Sequence, residues 1–101
     1  MVKKEIMKKV KRFGALVRER IPVKYILLYG SHAQGKATAE SDIDVAVVLE
    51  KEPERNFLEM DAELYTIRRS VDTRIEPVLL VERHDRSGFL REIKAYGQII
   101  D

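Results

Sequence analysis

A glycine-serine turn followed by two aspartates offers the residue types that bind phosphate and metal ions. Gly30 and Ser31 come directly after one apolar run, and Asp42 and Asp44 lie at the start of the next. Glycine lets a ligand approach the backbone, and serine supplies an amide and a hydroxyl for phosphate oxygens. Carboxylates two residues apart on a strand share one face about 6–7 Å apart, and magnesium prefers carboxylate oxygens. The sequence therefore predicts a site for a metal-nucleotide complex.

The spacing of these residues resembles a family signature. The chain has Gly30-Ser31, then ten intervening residues, and then Asp42-Ile43-Asp44. This pattern is similar to the motif of the DNA-polymerase-β-like nucleotidyltransferases. Within that superfamily the chain resembles the minimal nucleotidyltransferases (MNT), which are often encoded beside a small helical partner of the HEPN class. The resemblance covers residues 23–80. It implies a polymerase-β-like fold and magnesium-dependent transfer of a nucleoside monophosphate, most simply AMP from ATP, to a hydroxyl group.

The resemblance also implies roles for individual residues. Superfamily members add a third carboxylate from a neighbouring strand, for which we choose Glu76, inside the third predicted strand, and keep Asp72, at the entry of that strand, in reserve. The residues implied to be catalytic, and to hold two magnesium ions, are Asp42, Asp44 and Glu76. Those implied to bind the β and γ phosphates are Gly30 and Ser31. Members commonly carry arginine where this chain has Gln34, and Lys36 lies close enough to substitute.

The acceptor of the nucleotide is expected to come from a partner protein. A chain of 101 residues has no room for the extra domain that larger relatives use to hold tRNA, an antibiotic or a primer. By resemblance the partner is a helical HEPN ribonuclease toxin whose tyrosine is adenylylated, which would make this chain an antitoxin. Two alternatives stay open: a transferase acting on a small aminoglycoside-like alcohol, and a non-catalytic antitoxin that masks its partner by binding.

Composition narrows the function classes further. The chain has 19 basic and 17 acidic residues, a net charge of +2 and no cysteine, which excludes disulfides and thiolate metal sites and does not demand nucleic acid as a partner. No apolar run is long enough for a signal peptide or a membrane span. We expect one cytoplasmic domain over residues 1–101, and the sequence is compatible with a homo-oligomer.

The apolar pattern predicts the elements that position the site. Residues 3–20 and 56–70 are predicted helices; the second carries an apolar stripe predicted to face a sheet, formed by Phe57, Met60, Leu64, Ile67 and Val71. Strands are predicted at residues 23–29, at 43–49 and within 71–81, where Pro77 indicates an edge or a bulge. A short last helix follows, stopped by Gly97, and then a brief extended tail.

These elements predict an α/β fold with a small mixed sheet and flanking helices. The first two strands are joined by about a dozen residues and can pair antiparallel without a crossover helix. On the second strand, alternation puts Asp42 and Asp44 on one face with Ala46 and Val48, and four apolar residues on the other. The first strand, which is almost continuously apolar, is predicted to be buried on both faces.

Overall fold

Residues 2–101, the part of the chain that the computed structural model describes, form helices and strands in mixed order. The helices are α1 (Lys4–Arg18), α2 (Gly30–Ala33), α3 (Phe57–Arg68) and α4 (Phe89–Tyr96). The strands are β1 (Tyr25–Tyr29), β2 (Ile43–Leu49), β3 (Ile75–Val81) and β4 (Gln98–Ile99), and a 3-10 turn at Glu82–His84 follows β3. None of these helices is both long enough and apolar enough to cross a bilayer.

The strands form one mixed sheet in the order β3-β2-β1-β4. β1 pairs antiparallel with β2, as the sequence predicts, and β2 pairs parallel with β3. β4 adds two residues antiparallel to the other side of β1, which confirms the short extended tail. Pro77 lies in β3, at the edge of the sheet, where its missing N–H does no harm to the pairing with β2.

Helices cover both faces of the sheet. On one face α1 and α3 pack over the apolar side of β2, which carries Ile43, Val45, Val47 and Leu49. On the other face Leu90 and Ile93 of α4 pack against Ala46 and Val48. The predicted alternation of β2 is therefore confirmed, and so is the burial of β1 on both faces. The carboxylates belong to the face that α4 covers.

Some predicted boundaries and faces are wrong. Phe57 is 42% exposed, although it was assigned to the buried stripe of its helix, because it is the first residue of α3 and the core begins at Met60. β3 starts at Ile75 rather than near residue 71, because the Asp72 carboxylate accepts a hydrogen bond from the Arg74 backbone and forms a turn there. The first helix and first strand are each shorter by a few residues than predicted.

Candidate active site

Three polar side chains stand side by side across the sheet. Asp44 in β2 is directly opposite Tyr29 in β1 and Glu76 in β3. Residues opposite one another in neighbouring strands project from the same face, so the strand pairing alone makes the three side chains neighbours. Asp42 lies two residues before Asp44 and is exposed just ahead of β2.

The turn at Gly30-Ser31, the candidate phosphate turn, meets this row at Asp44. Gly30 follows β1 directly and has a φ of +72°, a conformation that side chains other than glycine rarely adopt. A Cβ on Gly30 would lie 2.9 Å from the Asp44 Cγ and closer still to its Oδ2. Any other residue would therefore push the carboxylate away, and Gly30 is required both for the turn and for the position of Asp44.

The surroundings of Asp44 raise the cost of ionising its carboxylate. Burial raises the pKa of Asp44, and the neighbouring charges of Asp42 and then Glu76 raise it further, while His32 opposes them. Carboxylates that repel one another are a favourable site for a divalent cation, whose charge reverses that repulsion. The donors are carboxylate oxygens, which magnesium prefers, so the residues present fit this metal in chemical type.

Glu76 also has a partner in the protein. The Arg68 Nη1 donates to Glu76 Oε1 at 3.2 Å and to the Ile75 carbonyl oxygen at 2.9 Å. The Arg68 guanidinium lies over the Tyr65 ring, 4.7 Å from its centre. Within residues 2–101 no three histidine, aspartate or glutamate side chains converge as a ready metal-ligand set, and Glu76 must loosen from Arg68 to join Asp42 and Asp44 on an ion.

Asp72, the reserve for the third carboxylate, lies in a different environment. Its Oδ2 is 2.8 Å from Lys9 Nζ and 2.8 Å from Arg74 Nη2, and its side chain is only 10% exposed. The hydrogen bonds from Arg74 and Lys9 hold the pKa of Asp72 far below its ordinary value. The ion pairs of Asp72 with these two cations join α1 to the turn before β3. Glu76 therefore stays the predicted third ligand.

Aromatic rings line the same end of the sheet. The ring of Tyr29 meets that of Phe89 edge to face, with centres 5.8 Å apart. Burial, and next the charge of Asp44, raise the pKa of Tyr29 to about 12. The Tyr96 hydroxyl accepts a hydrogen bond from the Gly30 backbone N–H at 3.2 Å.

Tyr96 and Arg68 are the site neighbours that the sequence analysis did not identify. The spacing of seven residues between Phe89 and Tyr96, two helical turns, could have indicated an aromatic edge along α4. No comparable signal marks Arg68, because an arginine in the last turn of a helix is already accounted for by the helix terminus.

The rest of the loop contributes less to the site. His32 is only 8% exposed, and its Nε2 has no hydrogen-bond partner among the described residues. Gln34, which replaces the family's usual arginine, ends α2 and is exposed. The Lys36 backbone N–H donates to the Ser31 carbonyl oxygen at 3.0 Å, which closes the turn and keeps the exposed lysine near it.

Comparisons with known proteins identify the family and the fold. The family described as "Polymerase beta, Nucleotidyltransferase" matches residues 8–100. A Methanocaldococcus jannaschii protein, named as a candidate protein adenylyltransferase, is 39% identical over 56 residues. The match covers 55% of this chain and 53% of that relative, so this chain spans about half the length of the curated relative that it matches.

Two solved structures share the fold. A candidate nucleotidyltransferase from Sulfolobus solfataricus superposes with a TM-score of 0.65 at 22% identity, over 93% of this chain and 78% of that one. A chain from the complex of a tri-AMPylated Shewanella oneidensis HEPN toxin with an MNT antitoxin superposes with a TM-score of 0.64 at 19% identity. That match covers 95% of this chain and 71% of the other.

Proposed function

This chain belongs to the polymerase beta nucleotidyltransferase family, and on that premise we propose that it transfers AMP from ATP to a hydroxyl group of a partner protein. The observation that carries the proposal is the contact between Gly30 and Asp44, which joins the candidate phosphate turn to the row of carboxylates. Nucleotidyl transfer needs both at one point, because the phosphate chain must be held and its charge balanced while phosphorus is attacked.

Each residue has a distinct part in binding. Gly30 lets the phosphate chain approach the backbone, and Ser31 offers its amide and hydroxyl to the β and γ phosphates. Asp42, Asp44 and Glu76 would hold two magnesium ions, which when bound balance phosphate charge and activate the attacking hydroxyl.

The transfer step exchanges the phosphoanhydride bond between the α and β phosphates of ATP for a phosphoester bond to the acceptor. The acceptor oxygen attacks the α phosphorus, a new oxygen-phosphorus bond forms, and the bond from that phosphorus to the bridging oxygen breaks, so that pyrophosphate leaves. The hydroxyl proton passes to Glu76. Arg68 contacts only the Oε1 atom of this carboxylate; once that contact loosens, one oxygen of Glu76 would hold the metal ion and the other receives the proton.

The acceptor in this proposal is a tyrosine of a helical HEPN-type toxin, and the chain is its antitoxin. Support comes from the Shewanella oneidensis complex, in which a HEPN toxin is tri-AMPylated and an MNT antitoxin is bound, and from the name of the Methanocaldococcus jannaschii relative. Such an enzyme works in the cytoplasm, where ATP is available.

Transfer of a labelled nucleotide tests this function. The purified chain is incubated with magnesium and ATP labelled at the α phosphate, together with the product of the adjacent gene and, separately, with whole lysate. Wild type is compared with the isosteric double variant Asp42→Asn/Asp44→Asn, and with Glu40→Gln, which removes an exposed acid from the same loop. We expect label on one small protein, at a tyrosine located by mass spectrometry, with wild type and Glu40→Gln only.

Other results separate the alternative functions. Label on a small alcohol and on no protein would reassign the chain to small-molecule transfer. A tight complex with the neighbouring protein that forms equally well with the double variant, and without any labelling by wild type, would reassign it to masking.

A further inference from the structure

Tyr96 reaches from the last turn of α4 into the candidate phosphate turn. Its hydroxyl oxygen accepts the Gly30 N–H at 3.2 Å, and Gly30 is the residue against which the Asp44 carboxylate lies. Tyr96 is 41% exposed, so the residue stays partly open to solvent. Neither the glycine-serine motif nor the acidic pair accounts for this contact.

The backbone after Tyr96 fixes its position. The Gly97 N–H donates to the Ile93 carbonyl oxygen at 2.7 Å, and a Cβ on Gly97 would lie 2.8 Å from the Leu28 carbonyl oxygen. The chain then pairs with β1 through Gln98, which is opposite Leu28. The end of α4 is thus held closely against the strand that leads into Gly30, and the tyrosine is placed before a ligand arrives.

The hydrogen bond leaves the tyrosine proton available. Gly30 is the donor in the contact, so the Tyr96 oxygen is the acceptor and its own O–H is not used there. Among residues 2–101 the hydroxyl makes no hydrogen bond besides the one from Gly30. A hydroxyl that accepts one hydrogen bond becomes a stronger donor in the next, because each bond polarises its neighbour.

We propose that Tyr96 is a phosphate-binding residue, whose hydroxyl accepts the Gly30 N–H and donates its proton to a phosphate oxygen of the bound nucleotide. The role rests on the proposed nucleotidyl transfer and adds to it a contact from outside the glycine-serine turn. Because the same phosphate oxygen is present before and during reaction, the contact strengthens ground-state and transition-state binding alike. Tyr96 therefore affects the KM for ATP and leaves kcat at saturating ATP unchanged.

Tyr96→Phe tests the role, because it removes only the hydroxyl. The matched control is Tyr25→Phe, since Tyr25 lies on the same face of the sheet and its hydroxyl donates to Glu82 at 3.0 Å, away from Gly30. Dissociation constants are measured by calorimetry with magnesium, for ATP and for inorganic triphosphate. KM and kcat are then measured in the labelled transfer assay, and thermal unfolding confirms that each variant is folded.

We expect Tyr96→Phe to weaken the binding of both ATP and triphosphate about tenfold, the effect of one hydrogen bond to a charged group. Tyr25→Phe should leave both dissociation constants unchanged.

Unchanged or tighter binding by Tyr96→Phe, with wild type binding normally, would overturn the role of Tyr96 and leave the proposed function standing. Tighter binding would mean that the tyrosine obstructs the turn. A wild-type chain that binds neither ligand would overturn both proposals. A lower kcat with unchanged KM would contradict the binding role.

Discussion

Asp44 and Asp72 are two partly enclosed aspartates that the fold treats in opposite ways. Asp72 has two cationic partners, Lys9 and Arg74, each at 2.8 Å, and its pKa is held far below the ordinary value. Asp44 stands among other acids, and burial together with Asp42 and Glu76 raises its pKa. One carboxylate is neutralised by the protein's own cations, and the other lies among further negative charges that disfavour its ionisation.

This difference separates an acid that stabilises the fold from the acid that we propose binds a metal ion. An ion pair within the protein stabilises the folded state but leaves the carboxylate little capacity for an external cation. A carboxylate held near like charges destabilises the folded state and gains most when a cation binds. The sequence favours Glu76 as the third carboxylate and keeps Asp72 in reserve, and in the fold Asp72 is the one held by two cations.

The largest expected effect is on catalysis, at Asp44. Asp44→Asn should reduce nucleotidyl transfer by about a thousandfold or more, because it removes a charged ligand that balances the phosphate charge. It should not lower the melting temperature at pH 7, since the amide relieves repulsion from Asp42 and Glu76. Labelled transfer and thermal unfolding measure the two quantities, and transfer near the wild-type rate would remove Asp44 from the mechanism.

The reverse pattern is expected at Asp72. Asp72→Asn should lower the free energy of unfolding by about 2 kcal/mol, because it leaves the cations of Lys9 and Arg74 without their carboxylate, and the partial exposure of both cations limits the loss. Chemical denaturation measures this change, with Glu40→Gln as the exposed control. Transfer per folded molecule should stay within about twofold of wild type, well below the effect of losing a catalytic ligand. A larger loss of activity in the folded variant would place Asp72 in the site.

The two aspartates should also respond to pH with opposite signs. The folded-state pKa of Asp72 is depressed, so its contribution to stability is complete above the unfolded value of about 4 and is lost as the pH falls below it through the folded value. The folded-state pKa of Asp44 is raised, so wild type loses stability relative to Asp44→Asn as the pH rises from about 4 through the folded value. Denaturation curves of wild type and both variants between acid and neutral pH measure these slopes; slopes of the same sign would contradict the comparison.

The smallest expected effect is at Arg68. This cation partly neutralises Glu76, whereas Asp72 is neutralised fully by its two cations. Arg68→Gln should lower the magnesium concentration required for half-maximal transfer, by less than about tenfold, because it removes a cation that competes for a partly exposed carboxylate. A magnesium titration of the transfer rate measures the change, with Arg69→Gln, one residue further along, as the control. An increased magnesium requirement would mean that Arg68 instead holds Glu76 in place for the metal.

Sequence patterns predict the parts of this site that depend on local order. The alternation of β2 follows from its apolar residues, and the turn at Gly30 needs glycine for its backbone conformation. The environments of Asp72 and Glu76 depend instead on which cations tertiary packing brings near, and no spacing records that Lys9 reaches Asp72 from α1. Tyr96 illustrates the same limit, since its contact with Gly30 joins residues far apart in the chain.

The outer edge of β3 has a consequence for assembly. The Ile75 carbonyl oxygen accepts from Arg68, and Pro77, two residues on and therefore turned to the same side, has no N–H to offer. A sheet grows when another chain adds a strand to unpaired backbone groups on its edge, and both groups at these positions are withdrawn from such pairing. Extension of the sheet by strand addition is thereby opposed along the first half of this edge, from Ile75 to Pro77.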